Sequence, residues 1–223
     1  YGVLVLLLSV GGCTSFELFR RWVVSDKKIL ELEKATKQTE LQQLKKQINP
    51  HFLFNMLNNA NILVKDAPDE ASQILEKLDN LLRYQLNDST RREVFLTADI
   101  QFLTSFLELE KVRRDHFEYT IFQEGNMENI CIPPLLFIPF VENAVKHNLD
   151  SDNLSYVHLY FSVHNKQLTF RCENSKPRVP VKREGGIGLA NVKRRLDLLY
   201  ESRYTLQIED KETTYNVNLH LNS

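Results

Sequence analysis

The sequence has few of the residues that build covalent or metal frameworks, and it has almost no net charge. Its 223 residues include three cysteines, Cys13, Cys131 and Cys172, none of which belongs to a CxxC pair. An odd number of cysteines without such a pair argues against both a disulfide framework and a zinc site. The 28 basic and 29 acidic residues leave a net charge of −1. No global electrostatic field therefore indicates nucleic acid, and we expect no direct nucleic-acid partner.

Charge is also absent from the first sixteen residues, and residues 3–10 are almost entirely aliphatic. A helix needs about 20 apolar residues to cross a bilayer. Arg20 and Arg21 follow the apolar run, as the positive-inside rule expects at a cytoplasmic exit. We therefore interpret residues 1–19 as the end of a transmembrane helix in the inner (cytoplasmic) membrane, with the chain in the cytoplasm from about residue 20. The alternatives are a buried core helix and a signal peptide, which would carry its basic residues before the apolar run.

The polar stretch at residues 20–47 favours helix formation. Leu41, Leu44 and Ile48 follow the spacing of three and four residues that defines one helix face. This pattern predicts a signalling helix that leaves the membrane and pairs with a second copy as a coiled coil. A solvated linker helix is the alternative.

Residues 48–90 are predicted to form an antiparallel helical hairpin. Pro50 kinks or restarts the first helix, with Asn49 as its N-cap, and Pro68 opens the second helix. The hairpin carries two apolar stripes: Leu41, Leu44, Ile48, Leu53 and Leu57 on the first helix, and Ile74, Leu78, Leu81 and Leu82 on the second. A homodimer that forms a four-helix bundle would cover them. The alternative is that the C-terminal part of the same chain folds back over the hairpin.

The pattern changes after this hairpin. Residues 97–113 have helical spacing, and five later segments alternate with a period of two, which predicts strands. These segments begin at Phe117, Tyr156, Gln167, Tyr204 and Tyr215, and helices are predicted at about 134–148 and 189–200. Grouped strands with segregated helices predict an α+β sandwich over residues 97–223 and not a doubly wound sheet.

The segment from Gln47 to Asn55, Gln-Ile-Asn-Pro-His-Phe-Leu-Phe-Asn, contains the first group of residues that can carry chemistry. His51 follows the proline, and Asn55 lies one helical turn further along the same face. Neutral imidazole near pH 7 presents a ring nitrogen that can accept a phosphoryl group. A lone histidine on a helix more often has a structural role. The functional interpretation of His51 therefore depends on the sequence motif around it.

The second group lies between Pro133 and Asn148 and includes Val-Glu-Asn-Ala-Val-Lys-His. On a helix, the carboxamide oxygen of Asn143 can hold Mg²⁺. Lys146 lies three residues on, hence on the same face, and can neutralise phosphate charge. Glu142 is the candidate general base for a proton on His51.

The third group is Gly185-Gly186-Ile187-Gly188-Leu189, which leads into a predicted helix. Glycines let a backbone approach phosphates closely, and the N-terminus of the following helix suits an anion. The segment is not a P-loop, because no Gly-Lys-Ser/Thr follows it.

These three sequence motifs together resemble those of the LytS/YehU-type sensor histidine kinases. The resemblance covers about residues 44–221. The first string is similar to the phosphoacceptor box N-P-H-F-x-F-N of that family, the second to the N box of the Bergerat-type ATP-binding fold, and the third to its second glycine box. The resemblance implies a two-component sensor kinase that phosphorylates His51 from Mg-ATP and passes the phosphate to an aspartate of a response regulator, often of the LytTR type. It also implies nucleotide contacts from Asn143, Lys146, His147, Gly186, Gly188 and Leu189.

One segment departs from the family pattern. Where the family has Asp-x-Gly-x-Gly, with the aspartate on the adenine, this chain has Cys-Glu-Asn-Ser-Lys-Pro. Glu173 or Asn174 takes the place of the aspartate, and the glycine is missing. A degenerate kinase that acts as a dimeric signalling scaffold is therefore a second interpretation. A third is a gyrase-like or chaperone-like ATPase, but the position of its water-activating glutamate is Pro139 here.

Overall fold

The computed structural model describes seven stretches of the chain: residues 1–2, 19–22, 26–32, 50–148, 153–165, 167–177 and 187–222. The chain divides into two units, before and after the Asn49–Pro50 bond. In the first unit, residues 19–22 and 26–32 are helical and exposed. No helix within the described stretches is long and apolar enough to cross a membrane. Most of the predicted membrane segment and of the predicted signalling helix lies outside the described residues.

The second unit begins with the predicted helical hairpin. Helix α1 spans Pro50–Asp66 and helix α2 spans Pro68–Asn87. Each helix starts with a proline, whose fixed φ suits the first helical turn. Proline has no backbone N–H, but an N–H at this position would make no hydrogen bond within the helix. Ala67 joins the helices, and its N–H donates to the carbonyl of Leu63 at 2.8 Å. The predicted break between the two helices is therefore confirmed.

The elements after the hairpin form a mixed sheet with helices on it. They are a 3-10 turn (Asp88–Thr90), β1 (Val94–Phe95), α3 (Leu96–Arg113), β2 (Phe117–Glu124), β3 (Cys131–Ile132), α4 (Ile138–His147), β4 (Ser155–His164), β5 (Gln167–Ser175), α5 (Ile187–Tyr200), β6 (Tyr204–Asp210) and β7 (Thr214–Asn222). The five-stranded sheet has the order β2-β4-β5-β7-β6. Strands β2 and β4 run parallel, and the other three pairs are antiparallel. Strands β1 and β3 form a separate antiparallel pair.

The core lies between the sheet and its helices. Alternate residues of the three central strands are buried on one face of the sheet: Val157, Leu159, Phe161, Leu168, Phe170, Cys172, Val217, Leu219 and Leu221. Phe137 and Phe140 pack on Phe170, with ring centroids 4.5 and 5.8 Å away. Helices α3 and α4 contact the sheet, and α5 contacts α4. The predicted α+β sandwich is thus confirmed.

Most of the second-helix stripe that was predicted to form a dimer interface is covered within the chain instead. Ile74, Leu78 and Leu81 are 2–3% exposed, because α1 and α3 both pack on α2. Aromatic contacts support this packing. Phe52 lies 5.3 Å from Phe106 between ring centroids. The alternative prediction, in which the C-terminal part folds over the hairpin, is therefore correct for this face.

Several large apolar side chains elsewhere on the hairpin are exposed, and one of them, Leu57, belongs to the predicted stripe. They come from both helices: Phe54, Leu57, Ile62, Val64, Leu75 and Leu86. The predicted positions Leu41, Leu44 and Ile48 lie outside the described residues. The hairpin and the sandwich therefore pack into one unit, and exposed apolar side chains remain on the hairpin.

Candidate functional site

Helix α1 carries the phosphoacceptor motif in its first two turns. The backbone of His51 is helical, and the side chain of His51 lies outside the described part of the structure. Its neighbour Phe52 is buried against Phe106 of α3. Asn55 is half-buried. The sequence Asn-Pro-His-Phe therefore places His51 at the point where the hairpin meets the sandwich.

Helix α4 presents its polar residues on one side and its apolar residues on the other. Val141, Ala144 and Val145 are buried in the core. Asn143 is half-buried and Lys146 is exposed, and their spacing of three residues puts them on the same side of the helix. The amide of Asn143 and the ammonium group of Lys146 therefore lie on one accessible side of α4.

Glu142 and His147 flank that pair on the same helix. His147 is half-buried, while the side chain of Glu142 remains largely exposed. Desolvation by the surrounding protein raises the pKa of Glu142, and the negative charge of Glu110 raises it further. A carboxylate with a raised pKa is a better proton acceptor near neutral pH than an ordinary glutamate.

The two candidates for adenine recognition lie on opposite faces of strand β5. Asn174 is buried on the face that packs against α4, and its amide donates to the carbonyl of Ser175 at 2.8 Å. Glu173 points to the other face, where Arg171 donates a hydrogen bond to it. Asn174, and not Glu173, therefore lies on the face of β5 that packs against the helix of Asn143.

The third motif lies partly outside the described residues. Gly186 is among the residues not described, and the backbones of Gly188 and Leu189 belong to the first turn of α5. Helix α5 packs on α4. The glycine-rich segment therefore leads into a helix that contacts the helix of Asn143.

A buried polar cluster fixes the beginning of α4, and the sequence analysis did not identify it. Asp99 of α3 has no exposed surface, and its Oδ1 accepts hydrogen bonds from the Tyr84 hydroxyl at 2.5 Å and the Leu135 N–H at 3.1 Å. Arg195 of α5 donates to the carbonyls of Pro134 and Leu135 at 2.6 and 3.0 Å. We call residues 133–137 the entry loop of α4. Leu135 adopts a left-handed φ of 55°, which these bonds help to hold.

The sequence contains a signal for this cluster. Asp99 lies four residues before Leu103 and seven before Phe106, so it occupies the apolar stripe of α3. A charged residue on an apolar stripe is buried only when it has polar partners. Burial raises the pKa of Asp99 to about 6, although the Tyr84 hydroxyl, the amides of the entry loop and the charge of Arg195 lower it in part.

A second polar cluster fixes the other end of α4. Arg114, just after α3, donates to Oδ1 of Asn148 at 2.9 Å and to the carbonyl of Val145 at 2.8 Å. Glu110 is buried and pairs with Arg113 at 2.6 Å and with Arg114 at 3.3 Å. Residues at the two ends of α3 therefore hold both ends of the helix that carries Asn143 and Lys146.

Comparison with known proteins agrees with the motifs. Residues 39–117 match the family model described as histidine kinase. The sensor protein LytS of Staphylococcus haemolyticus is 30% identical over 205 residues, which cover 85% of this chain and 35% of that protein. The sensor histidine kinase YpdA of Escherichia coli is 31% identical over 119 residues, which cover 53% of this chain and 21% of that protein.

Among solved structures, the histidine kinase domain of the blue-light activated kinase EL346 from Erythrobacter litoralis has a TM-score of 0.45 and 18% identity. The structural match covers 81% of this chain and 89% of the EL346 domain. The sequence matches make the chain similar to histidine kinases, and in particular to the LytS-type sensor kinases, as the three motifs predicted. The chain spans about a third of the length of the LytS relative.

Proposed function

We propose that this chain is the kinase part of a two-component sensor, an ATP-dependent protein-histidine kinase with His51 as phosphoacceptor. The observation that carries the proposal is helix α4, which has Asn143 and Lys146 on its accessible side and packs on β5, the strand that carries Asn174. We assign the α+β sandwich to the Bergerat type of ATP-binding fold on this basis. The second interpretation, a scaffold without kinase activity, predicts no phosphate on His51.

The residues around α4 suit a magnesium nucleotide. The oxygen of Asn143 is a hard ligand of the kind that Mg²⁺ prefers, and Lys146 offers a positive charge to phosphate oxygens. The amide of Asn174 can both donate and accept a hydrogen bond, as the edge of adenine requires. His147, Gly186, Gly188 and Leu189 complete the proposed nucleotide contacts. When bound, Mg²⁺ would neutralise charge that develops on the phosphates.

The proposed reaction needs one proton acceptor. A ring nitrogen of His51 attacks the γ-phosphorus, a P–N bond forms, the bond from that phosphorus to the β–γ bridging oxygen breaks, and ADP leaves. The attacking nitrogen is the unprotonated one, and the proton of the other ring nitrogen then passes to a base. Glu142 is our candidate, because its raised pKa suits proton transfer near neutral pH. Asn55, one turn after His51, is proposed to orient the imidazole.

The proposed partners follow from surfaces and from the family. The exposed apolar side chains of the hairpin could be covered by a second copy of the chain, in which the two hairpins form a four-helix bundle. Residues 1–19, with segments upstream, would anchor the dimer in the membrane. The phosphate on His51 would pass to the aspartate of a response regulator, of the LytTR type by family resemblance.

Labelling with γ-³²P-ATP and Mg²⁺ tests the proposal. The chain should acquire an acid-labile, alkali-stable label, as a phosphoramidate does, and His51→Gln should abolish it while nucleotide affinity stays nearly unchanged. His116→Gln is the control, because His116 is an exposed histidine outside the proposed site. Label that persists at the unaltered level in His51→Gln would refute the assignment of the phosphoacceptor.

A further inference from the structure

The contact between the hairpin and the sandwich is a mainly apolar seam. Among the described residues it also contains a partly exposed ion pair, Lys77 of α2 to Glu108 of α3 at 3.1 Å, and one buried hydrogen bond. The seam is formed by Ile74, Leu78 and Leu81 of α2 and by Phe102 and Phe106 of α3. Within it, the Tyr84 hydroxyl donates to Asp99 at 2.5 Å while the Tyr84 ring stacks on Phe102 at 4.6 Å. Packing alone does not call for a carboxylate here, since an apolar residue would fill the position without the cost of desolvation.

Asp99 holds the entry loop of α4 as well as the hairpin. The same Oδ1 atom accepts from Tyr84 and from the Leu135 N–H. Arg195 of α5 also holds the entry loop, because it donates hydrogen bonds to the carbonyls of Pro134 and Leu135. The hairpin, α3 and α5 therefore meet at a loop that lies about two helical turns before Asn143.

A helix transmits displacement along its axis because its backbone hydrogen bonds make it stiff. Helix α4 is also held at its far end, where Arg114 bonds to Asn148. Loss of the restraint at the entry loop would therefore leave the N-terminal end of α4 held by apolar packing alone. The side chains of Asn143 and Lys146 would then occupy a wider range of positions.

We propose that Asp99 is a positioning residue of the nucleotide site, and that the docked hairpin completes this positioning through the Tyr84 hydroxyl. The inference rests on the proposed function, because it assumes that Mg-nucleotide binds beside Asn143. It implies that the hairpin and the nucleotide are coupled. Docking of the hairpin strengthens nucleotide binding, and bound nucleotide strengthens docking by the same factor.

Titration of the 223-residue chain with trinitrophenyl-ATP and Mg²⁺, followed by fluorescence, tests the proposal. Tyr84→Phe keeps the ring stacked on Phe102 and removes only the hydroxyl. It should weaken nucleotide affinity about five-fold, the lower end of typical coupling between sites. Tyr204→Phe is the matched control. It removes a hydroxyl bond of the same 2.5 Å length, to Asp197, which involves neither the hairpin nor the entry loop. The control should change the affinity less than two-fold.

A double-mutant cycle separates positioning from a loss of fold stability. Asp99→Asn should weaken nucleotide affinity at least as much as Tyr84→Phe, and the double variant should be no weaker than Asp99→Asn alone, because Tyr84 acts through Asp99. Melting of each variant is followed by circular dichroism, and titrations are made well below the melting temperatures. If Asp99→Asn does not fold, the nucleotide affinities of Tyr84→Phe and Tyr204→Phe are compared, and this comparison alone tests the positioning role.

The outcomes distinguish this inference from the proposed function. Equal affinity in Tyr84→Phe and Tyr204→Phe would overturn the inference and leave the kinase assignment intact. Strictly additive effects in the cycle would also overturn it, because Tyr84 would then act independently of Asp99. A chain that binds no trinitrophenyl-ATP before any substitution would overturn both.

Discussion

The Tyr84 hydroxyl oxygen lies 2.5 Å from Oδ1 of Asp99, and this bond joins the second helix of the hairpin to the first helix of the sandwich. The two residues are fifteen positions apart in the sequence, with a turn and a short strand between them. Both are buried. A bond at this position means that the hairpin cannot leave the sandwich without exposing a carboxylate that has been stabilised by protein groups.

The buried Asp99 carboxyl predicts an unusual dependence of stability on pH. Burial raises its folded-state pKa to about 6, above the ordinary value of 3.8 that applies to the unfolded chain. Between about pH 4 and pH 6, the folded chain therefore holds a proton that the unfolded chain has released. Stability from this group is largest at low pH and falls as the pH rises through 6. A shift of about two pKa units corresponds to roughly 3 kcal/mol.

Asp99→Asn isolates this effect, because asparagine does not titrate. Urea unfolding of both proteins between pH 4 and pH 7 should show the free energy of unfolding of the unaltered chain falling relative to the variant by roughly 2–3 kcal/mol. A difference between the two proteins that stays constant over that range would show that Asp99 titrates as an ordinary carboxyl in the folded state.

Asn143→Asp should abolish most of the autophosphorylation while the chain stays folded. The side chain of Asn143 is half-buried at the surface of α4, so the change should cost less than about 1 kcal/mol of stability. The proposed role in holding Mg²⁺ would suffer, because a second charge beside the phosphates alters the geometry and the electrostatics of the site. The rate of labelling and the circular-dichroism melting curve should be measured together. Loss of the folded signal in this variant would mean that Asn143 is structural.

Gly125 ends strand β2 in a conformation that other residues rarely adopt. Its φ is +87°, and a Cβ atom placed there would lie 2.2 Å from the carbonyl oxygen of Val163. Gly125→Ala should therefore lower the free energy of unfolding by about 2 kcal/mol or more, from backbone strain and a clash with backbone. Asn165→Gly is the control, since Asn165 has a left-handed φ of 50° that glycine adopts readily. Denaturant melts of equal midpoint for Gly125→Ala and the unaltered chain would contradict the structure at this turn.

The exposed apolar side chains of the hairpin predict a dimer. Ile62 is 68% exposed, and burying such a side chain is worth about 1.5–3 kcal/mol. A fragment from about Ser25 to Ser223 should give a dimer mass in light scattering, and Ile62→Glu should shift it towards monomer without unfolding it. Leu78→Glu should unfold the chain instead, because Leu78 is 3% exposed in the core. A monomer mass at every concentration in the unaltered fragment would refute the four-helix bundle.

The strands were predictable from sequence because each buries one face. Tyr156 to Val163 alternates apolar residues with a period of two, and β4 is found at Ser155–His164. Helix α4 was predicted to start near Pro134 but begins at Ile138. Two prolines and the left-handed Leu135 keep the entry loop out of the helix, and the partners of that loop are residues distant in sequence.

The covering of the hairpin was not predictable from sequence alone. The apolar spacing of Ile74, Leu78 and Leu81 is the same whether a second copy or the rest of the chain packs on it. The residues of the candidate nucleotide site were likewise only partly predictable from the sequence. The order of the three motifs indicated the family, whereas the face on which Asn174 or Glu173 lies depends on the register of β5 with β4 and β7.

The apolar seam between α2 and α3 makes docking of the hairpin sensitive to temperature. The force that holds Ile74, Leu78 and Leu81 against α3 is mainly entropic near 25 °C and weakens on cooling. A hydrogen bond such as that between Tyr84 and Asp99 does not weaken in this way. In the cold, the apolar part of the seam therefore contributes less. The polar contacts, the Tyr84–Asp99 bond and the Lys77–Glu108 ion pair, then carry a larger share of the attachment between the hairpin and the sandwich.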